Sequence, residues 1–79
     1  MPRFYFDLQD NDSLVIDDEG AELDVDAVQK EAAFTVADAV RDKLRGPATC
    51  GEIAVQVRDD VGQIMRFRVA IEMQIERKK

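Results

Sequence analysis

The chain has 79 residues, 46% hydrophobic and 35% charged, which bounds it to one small domain, residues 1–79, with a thin core. One cysteine and no histidine exclude a disulfide framework, zinc clusters and Ser-His or Cys-His nucleophiles, and no apolar run nears the roughly 20 residues of a membrane span. Charge is unevenly divided, ten acids against Arg3 and Lys30 in residues 1–31 and seven acids against nine bases in residues 32–79, and the net of −6 disfavours a nucleic-acid partner.

The opening Met1-Pro2-Arg3-Phe4-Tyr5-Phe6-Asp7 lacks the apolar run and small-residue cleavage site of a signal peptide, so the expected location is the cytoplasm. Phe4, Phe6 and Leu8 alternate with Arg3, Tyr5 and Asp7, the period of a half-buried strand. Leu14 and Ile16 alternate with Ser13 and Asp17, and Gln9-Asp10-Asn11-Asp12 between the two runs is turn-forming. The pair reads as a hairpin with Leu8 opposite Leu14 and Phe6 opposite Ile16. Asp17-Asp18-Glu19-Gly20 then breaks the alternation, with Gly20 the residue expected at positive φ.

A helix follows from an N-cap at Asp24. Asp26 and Glu31 suit the positive end of its dipole, Arg41, Lys43 and Arg45 suit the negative end, and Gly46-Pro47 stops it. Val25, Val28, Ala32, Val36, Ala39, Val40 and Leu44 form one apolar stripe at helical spacing. The last third is a second hairpin, with Ile53, Val55 and Val57 on one strand and Met65, Phe67, Val69, Ile71, Met73 and Ile75 on the other. Val57 opposite Met65, Val55 opposite Phe67 and Ile53 opposite Val69 keeps every face consistent, with Gly62 in the αL position of a bulged loop.

The expected fold is therefore α+β: ββαββ, a single four-stranded antiparallel sheet with one helix packed on one face. The second and third strands are expected outermost, with the first beside the last. The last strand outruns its hairpin partner, so Ile71, Met73 and Ile75 overhang and their edge could template strand addition by a second copy. Phe34, about 180° around the helix from the Ala32–Val36 stripe, is a second candidate contact between subunits.

Arg3, Tyr5, Arg58, Arg66 and Arg68 fall on the outward sheet face, where basic groups and an aromatic could meet an anionic ligand or a single-stranded nucleic acid. Asp7, Glu72 and Glu76 share that face, and a solvated face with cross-strand charge pairs is the preferred explanation of it. The acids of the turns close no calcium loop, so no metal is expected. Cys50, between Thr49 and Gly51, has no base placed to activate it. No catalytic residue and no cofactor-binding residue is identified, which points away from an enzyme and toward a homo-oligomeric interaction module, with the basic face as the alternative.

The Met1-Pro2-Arg3-Phe4-Tyr5-Phe6-Asp7 start, Asp18-Glu19-Gly20 with Glu22-Leu23 two residues on, the helix, and Val57-Arg58-Asp59 before a glycine turn resemble a group of small bacterial proteins. Members of that group open with Met-Pro-Arg/Lys, aromatics and an Asp or His, and carry an Asp-Glu-x-Gly-x-Glu-Leu-type turn before the helix. They form a domain family of unknown function common in rhizobia and their relatives. The resemblance implies the same fold and a bacterial cytoplasmic setting, and brings no catalytic residue, cofactor or substrate. Asp24 stands where a proline commonly follows the Glu-Leu pair, and the last strand continues further than usual.

Overall fold

A computed structural model describes residues 1–47 and 50–77. Thr49, named above beside Cys50, lies outside the described residues. The alternating aromatic start forms β1 (Arg3–Asp10), which turns through Asn11 at φ 51° and returns as β2 (Ser13–Val15). After residues 16–20 the returning chain meets β1 again as β3 (Ala21–Glu22). A 3-10 turn at Val25–Ala27 leads into α1 (Val28–Arg45), and β4 (Cys50–Arg58) and β5 (Gln63–Glu72) complete the chain's regular structure. The protein is α+β, one helix on an antiparallel sheet in the order β2-β1-β4-β5, with β3 also paired to β1.

The sheet has five strands rather than four. Arg3 and Phe4 pair with Glu22 and Ala21, so the stretch expected to be only a turn returns to the sheet. The order also differs, because β4 rather than the last strand lies beside β1. Burial explains the exchange. Ile53, Val55 and Val57 are fully buried on one face and Ala54 on the other, as a central strand requires. In β5, exposed Arg66, Arg68, Ala70 and Glu72 alternate with half-buried apolar residues, the pattern of an edge with one wet face.

The first hairpin is shifted by one residue from its expected register. Leu8 pairs with Val15 and Gln9 with Leu14, because β1 runs on to Asp10 and the turn is only Asn11-Asp12. A one-residue slip reverses the side-chain faces, and Leu14, Val15 and Ile16 are all exposed. The closing hairpin keeps its expected register, with Val57 opposite Met65, Val55 opposite Phe67 and Ile53 opposite Val69. Its device is different. Gly62 is not at positive φ; the Asp59 carboxylate accepts the N–H groups of Val61 and Gly62, and the register shifts between Val57 and Arg58.

The long overhang is not formed. β4 begins at Cys50, so Ile71 pairs with Gly51 and Glu72 with Cys50, and only Met73 and the residues after it lie beyond the ladder.

The helix covers the face that carries Phe4, Val55 and Val57, and contributes Val28, Ala32 and Val36 to the buried cluster. Phe6, Leu23, Val40, Met65, Phe67 and Val69 pack around it. Asp24 is extended, φ −64° and ψ 141°, but its side chain makes no cap; its carbonyl accepts the Ala27 N–H instead. The ends of the expected stripe, Val25 in the 3-10 turn and Leu44 in the last turn of α1, are exposed. Near the helix C-terminus, Lys43 Nζ lies 2.8 Å from Asp10 Oδ1, with the Lys43 side chain only 10% exposed, tying α1 to the end of β1.

Candidate functional site

Two surfaces stand apart from the core: the sheet face away from the helix and the outer edge of β5. On the first, Tyr5 and Arg58 are direct neighbours across β1 and β4. The Arg58 guanidinium carbon lies 4.5 Å from the Tyr5 ring centroid, in cation–π contact. Its Nε donates to Asp7 Oδ2 at 2.8 Å, and Nη2 donates to the Asp17 carbonyl at 2.8 Å. Asp7 is 5% exposed and also accepts the Asp17 N–H at 2.9 Å.

Asp17 organises the excursion between β2 and β3. Its Oδ2 accepts the Phe6 N–H, and its Oδ1 accepts the N–H groups of Glu19 and Gly20. Burial pushes the Asp17 carboxyl up, but the donors Gly20, Phe6 and Glu19 and the charge of Arg58 outweigh it and hold the group below its ordinary 3.8. The hydrogen bond from Arg58 to Asp7 is the main cause that raises the Arg58 guanidinium above its ordinary value. Gly20 permits the close fit. At φ 73° it brings the backbone against Tyr5 and the Phe4 carbonyl, where a Cβ would lie 2.8 Å from Tyr5 Cε2.

The remaining basic residues are also engaged. Arg3 donates to the Glu19 carbonyl at 2.7 Å and pairs with Glu22 at 3.1 Å. Arg66 reaches the Gln9 side-chain oxygen at 3.5 Å, and Arg68 lies 3.7 Å from Glu52. The structure thus brings Tyr5 and Arg58 together, keeps Arg66 and Arg68 on the neighbouring edge strand, and places Arg3 at the β3 end. Sequence reasoning missed Asp7 and Asp17 as the centre of this cluster. The available signal was a lone acid inside the aromatic start of β1, on the same face as Tyr5 and Arg58.

The second surface is the edge of β5. Among the described residues β5 pairs with β4 alone. Ile71 is half-buried, Met73 is 52% exposed and Ile75 is 83% exposed. Phe34 stands on the outer helix face and is 55% exposed, as its angular position implies. Among the described residues no cavity is formed, and no group of three acidic or cysteine side chains is placed to hold a metal ion. No described helix is long and apolar enough to cross a membrane.

Fold and surface define a small helix-on-sheet domain with one sheet face pinned by a carboxylate–arginine cluster and, among the described residues, the outer edge of β5 unpaired. Residues 3–71 match the family described as a domain of unknown function, DUF6894, and the chain belongs to that family. No curated protein and no solved structure is significantly similar to it.

Proposed function

We propose that this chain is a non-catalytic interaction module that associates with a second copy of itself through the outer edge of β5. The observation that carries this reading is the open edge itself, continued by exposed Met73 and Ile75. An unpaired edge of alternating apolar residues is a template for another strand.

The other sheet edge is a weaker template, since β2 is only three residues long. Phe34 offers a single ring on an otherwise polar helix face, so the strand edge is preferred to the outer helix face.

The alternative, an anionic-ligand or single-stranded nucleic-acid site on the basic face, has less support. Arg3, Arg58, Arg66 and Arg68 already meet acceptors of this chain, and Tyr5 lies beneath Arg58. A bacterial cytoplasmic setting is part of the proposal, and it rests on the family resemblance alone.

Sedimentation equilibrium of the wild type and of Met73→Lys tests the reading. Met73 lies outside the sheet, so the substitution leaves the fold intact. The expected result is a wild-type mass above the 8.9 kDa of one chain, reduced toward it in the variant. A wild type that sediments as one chain at every concentration would contradict it.

A further inference from the structure

The sequence of β5 and the residues after it has a symmetry that specifies how two copies would join. The apolar positions Met65, Phe67, Val69, Ile71, Met73 and Ile75 are arranged evenly about Ala70. Charges on the other face are opposite in the two halves, with Arg66 and Arg68 before Ala70 and Glu72 and Glu76 after it. We infer that two copies pair β5 against β5, antiparallel, with the two-fold axis at Ala70. This rests on the self-association proposed above and adds its register.

In that register Val69 faces Ile71 of the second copy, Phe67 faces Met73, and Met65 faces Ile75. Every apolar residue of the run then meets another across the strands, which is the unit of sheet stabilisation. Moving the axis to Val69 sets Ile75 against Gln63, and moving it to Ile71 sets Met65 against Arg77. Only the axis at Ala70 closes the whole apolar run on itself.

The opposite face agrees. Arg68 lies opposite Glu72 of the second copy, and Arg66 lies opposite Gln74 with Glu72 and Glu76 on its diagonals. Within its own chain Arg68 already lies 3.7 Å from Glu52 on β4, so it would stand between two carboxylates. The residue brought against itself at the axis is alanine, exposed and small enough to leave the approach clear. A parallel pairing in equal register would set Arg66 on Arg66, Arg68 on Arg68 and Glu72 on Glu72, which like-charge repulsion opposes.

Two consequences follow for the assembly. Residues that face one another share parity, so both helices lie on the same side of one continuous sheet, with the two-fold perpendicular to it. Residues 73–76, which lie beyond β4, gain a partner strand in the second copy.

Cysteine cross-linking tests the register. Cys50 is exposed and is first replaced by serine, which leaves the added thiol as the only one. In Cys50→Ser/Ala70→Cys the two Ala70 positions lie about 4.5–5.5 Å apart between Cα atoms, within the range a disulfide spans. In Cys50→Ser/Arg68→Cys the two positions are each displaced from the axis and lie beyond about 7 Å. Under mild oxidation the Ala70→Cys protein is expected to form covalent dimer in most molecules, and the Arg68→Cys protein at least tenfold less. Sedimentation of the reduced proteins is run alongside. Reduced proteins that sediment as dimers while Arg68→Cys cross-links as well as Ala70→Cys, or in its place, would overturn the register and leave self-association standing. Reduced proteins that sediment as single chains would overturn both.

Discussion

Replacing Gly20 by alanine tests whether the return of the chain to β1 holds the sheet together. Gly20 has φ 73°, and an added Cβ would lie 2.8 Å from Tyr5 Cε2 and 2.9 Å from the Phe4 carbonyl oxygen. The left-handed backbone costs an L-residue about 1–2 kcal/mol. Crowding adds about 1–3 kcal/mol in a packed setting, and here one neighbour is backbone that cannot rotate away. The lower freedom of the unfolded chain returns about 0.4–1 kcal/mol.

The net loss is about 1–4.6 kcal/mol, with midpoints giving about 2–3 kcal/mol, out of roughly 4–12 kcal/mol for a domain of this length. In a domain this small that lowers the melting temperature by about 10–20 °C. Thermal unfolding followed by circular dichroism measures it, with Gly62→Ala as the control. A Cβ at Gly62 would meet nothing within 4 Å, and its φ is not positive, so that variant is expected within about 0.5 kcal/mol of the wild type. A Gly20→Ala protein as stable as the wild type, or a Gly62→Ala protein damaged as much, would refute the reasoning.

Arg58→Met strips the guanidinium from buried Asp7 and is expected to lower the urea midpoint clearly. Asp7→Asn combined with it should cost less than the two single changes added together, since no unpaired charge then stays buried; strict additivity would contradict the pairing. Asp17 is held below its ordinary 3.8, so its contribution to stability is complete above that value and is lost as pH falls through the lowered one. Asp17→Asn is therefore less stable than the wild type at neutral pH, and the difference narrows in acid denaturation below about pH 4. Parallel stability profiles for the two proteins would count against this role.

The features legible in the sequence were those set by periodicity. Period-two alternation gave β1 and β5, the 3.6-residue stripe gave α1, and face consistency alone fixed the pairing of Val57 with Met65. The errors arose where tertiary contacts outweigh local pattern. The register of β1 against β2 depends on whether the turn is the two residues Asn11-Asp12 or the three residues Asp10-Asn11-Asp12, and the composition of residues 9–12 allows both. β3 is two residues long and is held by contacts distant in sequence, with Leu23 N–H on the Pro2 carbonyl and Arg3 on Glu22, which no local signal shows. Strand order was misassigned because Ala54, which marks β4 as buried on both faces, is small enough to suit a wet face as well.

The polar cluster was legible only in part. Arg58 and Tyr5 were placed on one face, but not as neighbours, because the expected strand order set the last strand between theirs. Asp7 was assigned to solvent, and its burial follows from the segment of residues 17–20 folding over β1. The aromatic start and the Asp18-Glu19-Gly20 turn are thus two halves of one structural unit. Asp17 joins them, bonding to Phe6 on one side and to Gly20 on the other.

Hydrogen exchange of the β5 amides at low and high protein concentration tests the central claim most directly. Pairing through the outer edge protects the outward-pointing amides of even-numbered residues 64–76, including those of Gln74 and Glu76, which lie outside the ladder of a single chain. That protection is expected to rise with concentration, while the amides of β4 stay protected throughout. Fast exchange at Gln74 and Glu76 that does not change with concentration would contradict the account.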